Sequence, residues 1–233
     1  DTHLDNGYRL NKAKKFDFAF FNQKSGYEEF TKNIKQPKDM TGFHIETSTQ
    51  GRIGGNYWLP HAFEPQAYPN IETLKKYDVG FIGHMQQDVP NFNGMSRVQA
   101  LDRLFKEFPN FYYGSRHPAF PGKNLFEDAA KRFSESKIVF NISIRDDINM
   151  RVFEAMGTGS FLLTNWLPTL EELFIDGVDL VTYKTYDEMI EKAKYYLEHD
   201  EEREKIAKAG YEKVIANHTY QNRIETIQKL IGF

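Results

Sequence analysis

An arginine and a glutamate three positions apart, Arg151 and Glu154, sit in the stretch NISIRDDINMRVFEAMGTG, residues 141–159. A guanidinium matches phosphate oxygens in a planar fork, and a carboxylate accepts hydrogen bonds from neighbouring hydroxyls. Together they suit a ligand with both phosphates and hydroxyls, that is, a nucleotide or a nucleotide sugar. Asn149 and the backbone amides of Met150 and Arg151 add neutral donors beside them. Without a ligand the same two residues are an i,i+3 surface ion pair, worth only ~0.2–0.5 kcal/mol.

What would place these groups in a crevice is the pattern around them. A buried strand, Ile138 to Ile142, runs through a short polar loop into a helix. Ile148, Val152 and Met156 recur at i, i+4 and i+8 as a core stripe, and Asp147, Arg151, Glu154 and Thr158 form the opposite, polar stripe. In a parallel α/β sheet, strand C-termini and the N-termini of the following helices line the ligand crevice. Free amides and the positive end of the helix dipole favour an anion there. Asp147 reads as the helix N-cap. Gly157 and Gly159 read either as the end of the helix or as a turn that brings backbone close to a ligand.

Strands and helices alternate along most of the chain, as in a parallel sheet. Strands are expected at 16–21, 78–82, 110–113, 138–142, 161–164 and 178–183. Helices are expected at 26–33, at 96–108 behind a Ser96–Gln99 capping box, and after Asn124 and Glu127. A short helix follows Pro168, another opens at the Thr185–Glu188 capping box, and two more span 201–217 and 220–231. Residues 36–55 are turn-rich and carry no clear assignment. The fold class is α/β, a Rossmann-like doubly wound parallel sheet with a helical C-terminal tail.

The chain has 233 residues, 40% hydrophobic and 27% charged, with a net charge of −3. That length buries a real core, and the dispersed, slightly acidic charge disfavours a nucleic-acid-coating surface. No apolar run approaches the ~20 residues of a membrane span, and the absence of cysteine fits a reducing compartment. A cytoplasmic protein is expected. There is no G-x-x-x-x-G-K-[ST], no H-E-x-x-H and no Asp-x-Asp, and the GTG at Gly157 ends a helix where a dinucleotide fingerprint would open one. No metal site is expected.

RVFEAMGTGSFLLT, preceded by FNISIRDDINM, resembles the donor-binding core of GT-B glycosyltransferases with an acidic-x7-Glu signature. Asp146 and Glu154 supply the two acidic positions, with Asp where that group prefers Glu. WLPHAFEP (58–65), YDVGFIGHM (77–85) and HTYQNR (218–223) extend the likeness toward the CgeB-like, spore-maturation-type members. The resemblance implies two facing Rossmann-like domains with the donor held mainly by the C-terminal one. Residues 1–66 would be the end of an N-terminal, acceptor-side domain plus the crossover, and residues 67–217 the donor domain. Residues 218–233 would be a helix packing back toward the N-terminal side. The chain starts at Asp1 as if already in progress, so an N-terminal partner domain is expected beyond it.

On this resemblance Glu154 bonds the donor ribose hydroxyls. Glu154 and Arg151 are the expected catalytic pair, and Arg151 takes the diphosphate. The expected donor-binding set is Gly83, His84, Arg97, Asn141, Asp146, Asn149, Met150, Arg151 and Glu154. Gly83 allows a tight exit from its strand, and His84 either bonds the donor or is solvated. Arg97 is either a second diphosphate contact or an exposed helix arginine. His61 and Arg116 are possible cleft residues, His61 either binding sugar or phosphate or packing structurally, and Arg116 with His117 bordering the nucleobase. The expected reaction is metal-independent transfer of a sugar from a UDP- or GDP-sugar to an acceptor hydroxyl, with no cofactor. The acceptor, whether polysaccharide, protein, small molecule or modified nucleic acid, is left open. The alternatives are a non-catalytic nucleotide-sugar-binding module and, more remotely, a nucleotide-sugar epimerase.

Overall fold

In the computed structural model, the residues described are 18–22, 24, 43–47, 53–69, 71–83, 90–91, 93–114, 125–143 and 147–231. They divide into two compact units. One holds the described residues up to His61 together with those from Gln221 onward, and the other is Ala62–Tyr220.

The smaller unit contains strands β1 (Phe18–Phe21), β2 (Phe43–Thr47) and β3 (Ile53–Trp58). They form a sheet of order β1-β3-β2, in which β1 runs parallel and β2 antiparallel to β3. Strand β2 and the first half of β3 fall in the stretch 36–55 that the sequence left unassigned. The paired glycines of IGGNYW remove the side chains on which an alternation pattern depends. The expected helix at 26–33 lies outside the described residues.

The larger unit is a five-stranded, wholly parallel sheet: β4 (Tyr77–Ile82), β5 (Phe111–Gly114), β6 (Ser136–Asn141), β7 (Phe161–Asn165) and β8 (Val181–Tyr183). Its order is β5-β4-β6-β7-β8. The chain steps from β4 out to β5, then crosses back over β4 to β6, so β4 and β6 flank the point where the winding reverses. In open α/β sheets that is where ligands bind, outside the strand C-termini. Every residue of β7 is buried, and so is every residue of β6 except Lys137. Such continuous apolar strands require helices on both faces.

The helices bounded among the described residues are α1 (Arg97–Glu107), α2 (Leu125–Ser134), α3 (Met150–Gly157), α4 (Tyr186–Glu198), α5 (Asp200–Asn217) and α6 (Tyr220–Ile231). Helix α1 packs on α4, and α3 packs on α5, which also rests on β7. The expected caps form: Ser96 Oγ accepts from the Gln99 amide at 3.3 Å and Thr185 Oγ1 from Glu188 at 3.1 Å. Each such cap stabilises its helix by about 1 kcal/mol. Val79, Phe81, Ile138, Phe140, Phe161 and Leu163 build the core with Leu101, Leu104 and Met189.

Strand β8 starts three residues later than expected. Gly177, at φ 74°, turns the chain, and Asp179 Oδ2 accepts from the Ile175 amide at 2.9 Å. Residues 175–180 are therefore a closed turn, not the beginning of a strand.

Candidate functional site

Arg151 leaves the first turn of α3 and reaches both strands at the reversal point. Its Nε donates to the Ile82 carbonyl at 2.7 Å, and its Nη1 donates to Asn141 Oδ1 at 2.6 Å. The guanidinium lies 4.5 Å from the centre of the Phe81 ring. One side chain thus ties the C-terminal ends of β4 and β6. Gly83, the residue after β4, makes this possible: a Cβ there would overlap the Arg151 guanidinium.

A second arginine arrives from α1. Arg97 is buried, donates from Nη2 to the Ile142 carbonyl at 2.8 Å, and stands 5.7 Å from the Phe81 ring. Burial lowers its pKa from 12.5 to about 10. An exposed helix arginine, one reading from sequence, does not describe it. Arg97 and Arg151 both favour the ionised Tyr183 phenol, although burial outweighs them and raises its pKa well above 10.0. The end of the sheet therefore carries concentrated positive charge.

Asn141 is fully buried and joins four elements. Its Nδ2 donates to Thr164 Oγ1 at 2.9 Å, its Oδ1 accepts from Asn149 Nδ2 at 3.1 Å as well as from Arg151, and its carbonyl accepts from Tyr183 Oη at 2.7 Å. Asn149 Nδ2 also reaches Ser143 Oγ at 3.2 Å, and the Ser143 amide donates to Asn165 Oδ1 at 2.7 Å. The N-cap of α3 is Asn149, not Asp147 as expected. The Asn149 side chain donates from Nδ2 to Asn141 and Ser143 and makes no capping bond. Met150 opens the helix with its side chain partly exposed.

Glu154 sits one turn into α3 and is only 2% exposed. Tyr68 Oη donates to its Oε1 at 2.5 Å. The polar stripe expected on α3 is therefore largely internal, with Thr158 also buried. Helix α3 ends in a Schellman arrangement: Gly159, at φ 75°, donates to the Met156 carbonyl at 2.9 Å and Ser160 to that of Ala155 at 3.1 Å. Gly157 serves a different purpose, since a Cβ there would run into the Phe63 ring.

Of the expected residues, Gly83, Arg97, Asn141, Asn149, Met150, Arg151 and Glu154 belong to the larger unit, on the ends of β4 and β6 and on α1 and α3. His61 belongs to the smaller unit, where its Nε2 is 3.2 Å from Asn22 Nδ2 and its carbonyl accepts from Arg223 Nη2 at 3.1 Å. His84, Arg116 and Asp146 lie outside the described residues. Sequence reasoning missed Tyr68, Ser143, Thr164, Asn165 and Tyr183. Thr164 and Asn165 carried a signal, as the polar end of an otherwise apolar strand. Tyr68 carried none.

No helix among the described residues is long and apolar enough to cross a membrane, and none of their side chains form a group that could hold a metal ion. No curated protein sequence matches the chain. Among solved structures it is similar to sucrose-phosphate synthase from Thermosynechococcus elongatus, with a TM-score of 0.67 at 11% identity over 99% of this chain and 62% of that one. It is similar to Anabaena HepE in complex with UDP and glucose, with a TM-score of 0.65 at 12% identity, 97% of this chain and 66% of that one. A UDP-forming trehalose-phosphate synthase from Burkholderia xenovorans gives 0.65 at 13% identity, 96% of this chain and 63% of that one. The chain thus spans under two thirds of the length of each. These likenesses establish the Rossmann-like fold. The sequence profile described as "Glycosyl transferase-like" matches residues 97–229, more than half of the chain and most of the larger unit. By that match the chain belongs to the glycosyl transferase-like family.

Proposed function

We propose that this chain binds a nucleotide-diphosphate sugar, a UDP- or GDP-sugar, and serves as the donor-binding part of a glycosyltransferase that moves the sugar to an acceptor hydroxyl. The observation that carries this reading is the pair of guanidiniums, Arg97 and Arg151, fixed at the ends of the strands that flank the reversal point. Both guanidiniums stand beside the N-terminus of α3, whose dipole favours an anion. HepE, bound to UDP and glucose, shares this fold.

Transfer needs the diphosphate to leave while the anomeric carbon becomes oxocarbenium-like. Negative charge then builds on the leaving phosphate, and preorganised cations and amides stabilise it without reorganisation. Arg151, Arg97 and the start of α3 supply that field, so the reaction needs no metal. Glu154 accepts from the donor ribose hydroxyls. Asn141 and Asn149 hold Arg151 in place, and His84, Asp146 and Met150 complete the donor side. The motifs at 58–65, 77–85 and 218–223 support a place in the CgeB-like branch. An N-terminal acceptor-side domain completes the enzyme, which works in the cytoplasm.

The test is a thermal-shift titration with UDP, GDP, ADP, TDP and CMP, followed by assay of nucleoside-diphosphate release from the matching sugar nucleotide. Ligand that binds only the folded chain raises the melting temperature as it exceeds its Kd. One diphosphate stabilising the wild type, and not Arg151→Met, supports the reading. No shift with any of the five would sink it.

A further inference from the structure

Residues 62–69 precede β4 without forming a strand or helix of their own, yet they are seated on α3. The Phe63 amide donates to the His218 carbonyl at 2.8 Å, and the Tyr220 amide donates to the Phe63 carbonyl at 3.0 Å. The Phe63 ring fills the space that the missing Gly157 side chain leaves. Five residues on, the Tyr68 amide closes a turn onto the Glu64 carbonyl at 3.1 Å. The Tyr68 ring lies between two others, tilted against Phe63 at 5.9 Å and edge-on to Phe126 of α2 at 5.3 Å. From there its hydroxyl reaches Glu154 Oε1 at 2.5 Å, with Tyr68 4% exposed and Glu154 2%.

A carboxylate that has left water this completely requires hydrogen bonds. A hydrogen bond from a phenol to a carboxylate oxygen belongs to the charge-assisted, stronger class. The phenol cannot swing away, because its ring is held by Phe63 and Phe126 and its backbone by the turn. It therefore fixes the rotation of the Glu154 carboxyl plane. A carboxylate has about four acceptor sites, and the phenol takes one while setting the direction of the others. A ring that only filled space would be served equally well by phenylalanine.

We propose that Tyr68 is a positioning residue for Glu154: it orients the carboxylate so that it meets a vicinal diol on the bound ligand, which makes Tyr68 a determinant of ribose recognition. This rests on the donor-site reading of Glu154 given above.

The experiment is calorimetric titration of the whole chain with UDP and GDP, each compared with its 2′,3′-dideoxy counterpart, for the wild type, Tyr68→Phe, Phe126→Leu and Glu154→Gln. We expect the wild type to prefer the diol form and Glu154→Gln to lose that preference. Tyr68→Phe should shrink it about tenfold, the effect of losing one hydrogen bond to a charged group, while affinity for the dideoxy ligand stays at the wild-type value. Phe126→Leu, which alters only a half-exposed support of the Tyr68 ring, should shrink it less. If Tyr68→Phe keeps the wild-type preference, or weakens both ligands equally, Tyr68 is a packing residue and the inference is overturned while the donor site stands. A wild type that binds neither UDP nor GDP, or a Glu154→Gln variant that keeps the preference, overturns the donor-site role of Glu154 and this inference with it.

Discussion

Gly83 and Arg151 occupy complementary volumes: the guanidinium lies where a side chain at position 83 would begin. Arg151 cannot simply move aside, because its Nε and Nη1 are bound to Ile82 and Asn141. Gly83→Ala should therefore cost about 1–3 kcal/mol, the usual range for overpacking, and should abolish nucleoside-diphosphate binding. Urea unfolding and calorimetry on one preparation check both halves. Wild-type binding by Gly83→Ala would separate the arginine's position from ligand affinity.

Arg151→Lys keeps the charge and loses the fork. A single ammonium cannot serve the Ile82 carbonyl and Asn141 Oδ1 in the same geometry as a planar guanidinium. We expect about 2 kcal/mol of lost stability, since bonds to charged groups contribute ~1.5–3 kcal/mol, and weaker diphosphate binding. Unchanged unfolding midpoints would show that the two bonds add little to the fold.

Gly157 and Phe63 should behave as one unit. Gly157→Ala places a methyl group in the Phe63 ring, which is buried and tied at its backbone to residues 218 and 220. The single change should destabilise by about 1–3 kcal/mol. Combined with Phe63→Leu, it should cost less than the two single losses together, because contacting sites are not additive. Strict additivity in a urea double-mutant cycle would refute the contact.

Stability should fall steeply in alkali. Burial raises the pKa of Tyr196 from 10.0 to about 12 and that of Tyr183 well above 10.0. A raised folded pKa means that the folded state keeps protons the unfolded state loses. Their contribution is complete below pH 10 and disappears as pH climbs through 10 toward 12. Arg97, lowered to about 10 by burial, acts in the opposite sense over that range because its charge is the form that burial penalises. Urea unfolding between pH 8 and 11.5 should show a net decline that Tyr196→Phe makes shallower. An identical slope in that variant would remove Tyr196 from the explanation.

Local rules carried the sequence reading where they acted alone. Ser96 and Thr185 announced their helices because a cap needs only the next three residues. The alternation of strands and helices announced a parallel sheet, and the buried runs of β6 and β7 agree with it because both faces are covered. Arg151 was legible as a cation beside a strand end. Its attachment to Ile82, 69 positions earlier, was not, since no local rule spans that distance. The burial of Glu154 failed to show for the same reason. A polar stripe on a helix normally faces water, and the bond that receives this carboxylate inside comes from Tyr68, 86 positions away. Asp147 read as the cap because it is a good capping residue, but the helix starts later, and the cap position falls to Asn149, whose side chain bonds Asn141 and Ser143.

The link between Arg151 and the two strand ends also limits how this protein can diversify. A residue that holds the scaffold together is a poor place to change ligand preference, because each substitution is tested first by folding and only then by binding. Novelty in what the chain recognises is therefore best sought in side chains that reach the same space without joining strands.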